Sequence, residues 1–261
     1  MTQEGNVFKA EVGDIPVTKS LNNLGTSLNT LLKGQTLTNI IPIEEGMLEN
    51  SDLAFLIVTK KNKIKLTSVD QFSIISKAGL RMATLSDEDD QVISASLVNI
   101  KSGFSVLCMN SDGLVLNLPS EELPMLGRSA AGVKVFASRK GKGEPTVVAA
   151  SPYIHTGSDT IILLTEGGRG KLMEVSKFPE AKRNAVGLLG ANLKDGDQVV
   201  YGAVCQQSDL TTTNLMVVTD RKSITFSLSE LKFFERPAMG LTIKKNEEGE
   251  HVRTAALLTS K

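Results

Sequence analysis

The sequence predicts an all-β chain assembled from about five copies of one unit, and three observations carry that prediction. Similar stretches recur: LAFLIVTKKNKIKLTSVDQF at Leu53–Phe72, FSVLCMNSDGLVLNLPSEEL at Phe104–Leu123, TIILLTEGGRGKLMEVSKF at Thr160–Phe178 and NLMVVTDRKSITFSLSEL at Asn214–Leu231. Each passes from an apolar run through a short polar turn into an alternating segment. The alternation, as in Ile64-Leu66, Leu114-Leu116-Leu118 and Ile224-Phe226-Leu228, has the period of a half-buried strand, so every unit opens with a β-hairpin. No segment carries a convincing helical period. Units of about 50 residues with four strands each cannot bury both faces alone and must stack on their neighbours, which makes the expected fold propeller-like.

Aligning the hairpin turns sets Thr59, Met109, Thr165 and Thr219 in register, and one more step back reaches Thr2. The copies then run over roughly 1–50, 51–101, 102–156, 157–208 and 209–261 as one continuous domain. The first copy lacks its leading strand, because Met1 stands where the second copy has Leu56-Ile57-Val58. Domains rarely start inside a hairpin, so the chain is expected to be a piece of a longer protein. After each hairpin come a basic residue, a small spacer and a glycine: Arg128–Gly132, Arg183–Gly187 and Arg236–Gly240, with a shorter Lys77–Gly79 in the second copy. An apolar strand follows, then an acidic turn (Asp87–Asp90, Asp195–Asp197, Glu247–Glu250), then a closing strand such as Val199–Val204. Thr18–Gly34 is the least strand-like stretch and reads as an insertion loop or short helix.

Composition narrows the function. The 261 residues hold 29 Lys+Arg against 29 Asp+Glu, with 41% hydrophobic and 22% charged residues, which describes a globular chain rather than a disordered one. No apolar run reaches the roughly 20 residues of a membrane span, and the opening MTQEGNVFKAEVGD has no signal-peptide core. A cytoplasmic protein is expected. Cys108 and Cys205 stand far apart with no second pair to complete a zinc site, which points to a reducing compartment and two buried thiols. With no Trp, two Tyr (Tyr153, Tyr201) and two His (His155, His251), the chain offers little for acid–base or nucleophilic chemistry.

Individual motifs mostly resolve into structure. EGGRGK at Glu166–Lys171 lacks the spacing of a Walker loop and leads into a strand rather than a helix, so it is a glycine-rich hairpin turn. His155 and His251 lie in different copies without a ligand set, and the acidic runs recur at a strand-to-strand turn where solvated carboxylates are expected. No metal or cofactor is expected. The basic residue before the glycine is different, because repeated units place equivalent residues equivalently, so one cation per copy would line a single edge of the array. Arg matches phosphate oxygens with its forked donors, and a nearby glycine permits close backbone approach. Zero net charge hides segregation: about +4 over 51–83 and about +5 over 128–183, against about −6 over 84–127 and about −3 over 1–50.

The set VTKKNKIKLTSVDQF, SEELPMLGRSAAGVKVF and PEAKRNAVGLLGANLKDGD resembles the C-terminal domain of the A subunit of bacterial type IIA topoisomerases, gyrase and topoisomerase IV. In that family each blade reads roughly T-x-x-G-x-h-K-x, then a basic residue and Gly, then a strand and a D-G-D turn. NVFKAEVGDIP and IIPIEEG look like the family's second blade. The resemblance covers almost the whole chain. It implies a β-pinwheel, a propeller-like disc of about five four-stranded blades that exchange strands with their neighbours, the first incomplete.

Function follows from the same resemblance: binding and wrapping of duplex DNA on a basic rim, presenting a segment to the strand-passage core. The implied partners are duplex DNA, the ATPase B subunit, and the rest of the polypeptide to which such a C-terminal domain belongs. A cytoplasmic, nucleoid-associated location and no catalysis by this chain alone are implied as well. Carried over residue by residue, the DNA contacts are Arg128, Arg183, Arg236 and Lys77, and local basic density adds Lys134, Arg139, Lys140, Lys142, Lys171, Lys182 and Lys244. The first copy has no clear basic-x-x-x-Gly element, its nearest cations being Lys19 and Lys33. Gly167–Gly170 shares composition with gyrase's box of basic and glycine residues, but it lies in a hairpin turn and is not counted as one. A protein-interaction propeller, docking on the enzyme core or another partner, is the rival reading.

Overall fold

The computed structural model describes residues 1–15 and 27–259. After β1 (Asn6–Val7) and a one-turn helix α1 (Asn29–Leu32), the second copy contributes β2 (Leu53–Thr59), β3 (Lys63–Ser68), β4 (Leu80–Arg81) and β5 (Val92–Asn99). The third adds β6 (Ser105–Asn110), β7 (Leu114–Pro119), β8 (Val133–Lys134) and β9 (Val147–Tyr153). From the fourth come β10 (Asp159–Thr165), β11 (Arg169–Glu174), β12 (Leu188–Leu189) and β13 (Val199–Gln206). The fifth contributes β14 (Thr213–Thr219), β15 (Ser223–Ser227), β16 (Leu241–Thr242) and β17 (Val252–Thr259). Of the expected insertion at Thr18–Gly34, residues 18–26 lie outside the described residues, Lys19 among them, and Asn29–Leu32 forms α1.

Sheets and copies do not coincide. The four-stranded sheets are ordered β5-β2-β3-β8, β9-β6-β7-β12 and β13-β10-β11-β16. Each takes its hairpin and closing strand from one copy and its outer strand from the next. This is the strand exchange expected from the family resemblance. In the first and last copies the scheme is shorter: β1 pairs with β4 alone, and β15-β14-β17 has three strands. The leading strand of each full hairpin sits between two partners and is apolar throughout, as in Leu56 to Val58 and Ile161 to Leu164.

A bulge falls at one place in three sheets, between Met109 and Asn110, Leu164 and Thr165, and Val218 and Thr219. Asn110, not Met109, is therefore the residue equivalent to the threonines. Its Oδ1 accepts from Leu114 N at 2.9 Å, as Thr165 Oγ1 accepts from Arg169 N at 3.3 Å and Thr2 Oγ1 from Asn6 N at 3.2 Å. Met109 points into the core instead. Each hairpin is followed by a short 3-10 turn, at Val69–Phe72, Ser120–Glu122, Val175–Lys177 and Leu228–Glu230, too brief to leave a helical period in the sequence.

The described residues divide into two compact units: Met1–Thr59 with Lys63–Val98 and Pro124–Val133, and Lys60–Asn62 with Asn99–Leu123 and Lys134–Lys261. In the first, Phe55, Ile57, Val69, Phe72, Met82 and Val92 form the core, with Phe55 and Phe72 edge to face at 5.1 Å. In the second, one cluster joins copies three and four around Leu107, Ile161, Leu163 and Phe178, and another joins copies four and five around Ile162, Leu164, Leu215 and Val217. Alternate residues of β10 thus serve two cores, so each leucine or isoleucine there contributes about 1.5–3 kcal/mol of burial to one neighbour or the other. Among the described residues no helix is long and apolar enough to cross a membrane.

Candidate nucleic-acid interface

The loop that carries each copy's basic residue is shaped by the glycine behind it. Gly240 has φ +78, and a Cβ there would stand 2.5 Å from the Gly170 carbonyl oxygen on the preceding hairpin. Gly132 and Gly187 repeat this against the carbonyls of Ile64 and Val115. The close approach expected of these glycines is real, but it is made to the neighbouring strand rather than left open for a phosphate. It lets β8, β12 and β16 join the sheet of the copy before, and each loop is pinned at that end.

In the first unit Lys77 is exposed and has no ion pair among the described residues. Arg128 is half-buried; its N–H donates to Gln71 Oε1 at 2.9 Å, and its guanidinium makes no ion pair among the described residues. The second unit holds the remaining expected residues. The Arg236 guanidinium lies 5.5 Å from the Phe178 ring centroid, a cation–π contact that orients it without neutralising it. Arg183 is exposed, its N–H bonded to Glu122 Oε2 at 3.1 Å and its Nε 3.9 Å from the same oxygen. Lys140, Lys142 and Lys182 are exposed, without ion pairs among the described residues. Lys134 meets Glu144 at 3.0 Å and Arg139 meets Asp112, so both cations have carboxylate partners. Glu144 is held down to about 2 by bonds from Ser138 and Asn62 and by Lys134.

Two expected contacts are corrected. Lys171 is fully buried, and its Nζ donates to the carbonyls of Gly190 and Ala238, each at 2.6 Å. Lys244 is buried too, held by Glu250 at 2.7 Å and by the Lys245 carbonyl. Neither ammonium can reach a phosphate. Basic density along the sequence does not separate a strand position facing inward from a loop.

The acidic turns also depart from expectation, for they are not merely solvated. Asp90 and Glu250 are buried and accept from Thr59 Oγ1 at 3.1 Å and Thr219 Oγ1 at 2.8 Å, and Asp197 accepts from Gly167 N at 2.9 Å. They clamp the hairpin turns. His155 has a carboxylate after all, Asp159 Oδ2 at 2.8 Å from its Nδ1, four residues on. Cys108 is buried and Cys205 only half-buried; burial pushes their thiols up to about 12 and about 11.

Lys65 was not among the residues expected from the sequence. Its ammonium is buried under the Arg128 loop, and Lys171 stands at the equivalent position beneath the Arg236 loop. The signal was present: both occupy the lysine of the T-x-x-G-x-h-K-x pattern, third after a turn residue with positive φ, Asn62 or Gly168. Phe178, the platform for Arg236, carried no such signal.

Comparison with known proteins agrees with this architecture. The chain is 27% identical over 260 residues to the DNA gyrase A subunit of Staphylococcus epidermidis, covering 98% of this chain and 28% of the relative. With the DNA gyrase A subunit of Lawsonia intracellularis it shares 26% identity over 231 residues, covering 84% of this chain and 27% of the relative. The chain thus spans somewhat over a quarter of the curated relatives it matches. Its fold is similar to the crystal structure of the C-terminal domain of DNA topoisomerase IV, at a TM-score of 0.85 and 21% identity over 99% of this chain and 77% of that one. A DNA gyrase A C-terminal domain matches with a TM-score of 0.66 and 20% identity over 80% of this chain and 66% of that one. The family model described as DNA gyrase C-terminal domain, beta-propeller, matches residues 54–99, 105–147 and 159–206, and with the repeated hairpins and exchanged strands this establishes that the chain belongs to that family.

Proposed function

We propose that the chain binds duplex DNA without sequence preference and bends it along its basic loops, delivering a segment to the strand-passage core of a type IIA topoisomerase. One observation carries the reading. Three copies place an arginine four residues before a glycine that pins its loop to the neighbouring strand, a fourth has Lys77 two residues before Gly79, and none of the four cations is buried. Lys77 and Arg128 present theirs from the first unit, Arg183 and Arg236 from the second. Lys140, Lys142 and Lys182 add exposed positive charge to the latter. These groups suit phosphate oxygens, and contacts to phosphate carry no base information, so binding follows duplex charge and deformability. This role calls for two protein partners, the strand-passage core of the same polypeptide and an ATPase B subunit.

The test is titration of the chain with a duplex of unrelated sequence across a salt series. With four to six phosphates neutralised, log affinity falls against log salt with a slope of about −4 to −5, at about −0.9 for each contact. Replacing Arg128, Arg183 and Arg236 together by Ala flattens the slope by about 2.7 units on the same scale. An unchanged slope in that variant sinks the assignment. Absence of binding even at low salt favours the second reading, a surface that docks on protein, which the internal pairing of Arg139 with Asp112 and Lys134 with Glu144 supports.

A further inference from the structure

We propose that Lys65 and Lys171 are positioning residues for DNA contact: their buried ammonium groups hold the backbone of the loops that carry Arg128 and Arg236. This inference rests on the DNA-binding reading above.

Lys65 is 1% exposed, yet its Nζ has no carboxylate partner among the described residues. It donates instead to three carbonyls, Met82 O at 2.9 Å, Gly127 O at 3.0 Å and Arg128 O at 2.8 Å. An ammonium has three N–H donors, so all of its capacity goes into backbone, and two of the three acceptors belong to the Arg128 loop. The same device recurs in the other unit, where Lys171 joins Gly190 O to Ala238 O, two residues beyond Arg236. Met82 and Gly190 are themselves equivalent, each following a short exchanged strand. Burial lowers both ammonium groups to about 8, with Glu235 opposing the shift at Lys171, so each remains charged at neutral pH.

Burying a lysine with no counter-charge is costly, and a simple core would use an apolar residue. The intervening copy does so. Leu116 stands at this position, and the Arg183 loop keeps the side-chain bond that the Arg128 loop also has, Glu122 Oε2 on the Arg183 N–H matching Gln71 Oε1 on the Arg128 N–H. A lysine is therefore not required to build the sheet. What it adds is a fixed loop backbone, so that the arginine meets a phosphate without first losing the freedom of its loop. Thr84 tethers the same loop from its exposed side, its Oγ1 donating to Ser129 O at 2.6 Å.

The experiment compares the wild-type chain with Lys65→Met and Lys171→Met by DNA titration over a salt series and by amide hydrogen exchange. Expected is an affinity loss of about fivefold for each, the size of one lost hydrogen-bonded restraint, with the salt slope unchanged. Amides at 127–131 in Lys65→Met and 236–240 in Lys171→Met exchange faster, while core strands keep their protection. A slope flattened by about 0.9 means that the lysine touches phosphate itself, and the proposal fails. Unchanged loop exchange in a folded variant overturns it whatever happens to DNA binding. If the wild type shows no salt-dependent binding, the DNA reading fails with it, while the exchange data still report whether the lysines hold the loops. Should Lys65→Met not fold, Thr84→Val loosens the same loop from the surface, and unaltered affinity in that variant refutes the positioning role.

Discussion

Strand exchange makes Gly168 an informative place to perturb the molecule. Its φ is +78, and a Cβ would collide with the carbonyl oxygen of Lys244, where the chain of the next copy crosses the hairpin turn. Its own carbonyl accepts from Ile243 N at 3.0 Å and Lys244 N at 3.2 Å. Gly168→Ala therefore imposes the left-handed conformation on an L residue, about 1–2 kcal/mol, and displaces two hydrogen bonds worth about 0.5–1.5 kcal/mol each. The sum is about 2–5 kcal/mol. Gly196→Ala is the control, since Gly196 has φ +80 with nothing within 4 Å of its Cβ position, leaving only the conformational cost of about 1–2 kcal/mol. Urea unfolding at neutral pH compares the two, with equal m-values required before free energies are read. If Gly168→Ala loses no more stability than Gly196→Ala, the crossing contact does not bind successive copies, and something other than this crossing joins them.

Two further outcomes follow from the charges. Glu122→Gln removes the carboxylate charge beside the Arg183 guanidinium while keeping an acceptor for the Arg183 N–H, and strengthens DNA binding by about twofold to fivefold at low salt, as expected for an exposed pair; unchanged or weaker binding would show that this carboxylate does not restrain Arg183. Glu250 is held down to about 2 by bonds from Glu247 N, Lys244 Nζ and Thr219 Oγ1. Because that value lies below its ordinary one, its stabilising contribution is complete above about pH 4.5 and disappears as pH falls through about 2. Glu250→Gln should thus be less stable than wild type at pH 7, with the gap closing as pH falls through about 2. A difference that persists in acid would locate the effect in packing.

The hairpins were legible because alternation is local. Ile64-Leu66 and Leu114-Leu116-Leu118 announce strands within a window of six residues. Which sheet a strand joins is not local: Leu188-Leu189 pairs with Leu114 and Val115, more than seventy residues earlier. Only the family resemblance supplied that exchange. The alignment slipped at Met109 because it matched letters, whereas the fold needs a side-chain oxygen, which Asn110 provides as well as Thr does. Arg128, Arg183 and Arg236 could be singled out from the sequence because their loops repeat with their glycines. Lys171 and Lys244 were expected at the surface, and Lys65 was passed over, because lysine is a surface residue unless the backbone offers carbonyls or a carboxylate inside, and for Lys65 and Lys171 those carbonyls lie up to more than sixty residues away.

Exchange of the outer strand also fixes what can be inherited as a module. Cutting the chain between copies removes one strand from a sheet that otherwise stays whole, since β8, β12 and β16 each complete the sheet before their own. Excising an interior copy and rejoining its neighbours restores the full strand count, because the following copy brings the same Gly-led strand to the vacated edge. Gene duplication could therefore lengthen or shorten such an array by whole repeats without leaving an open seam inside it. A single basic loop would be gained or lost at each step, so the array would change by one fixed increment of its exposed cations.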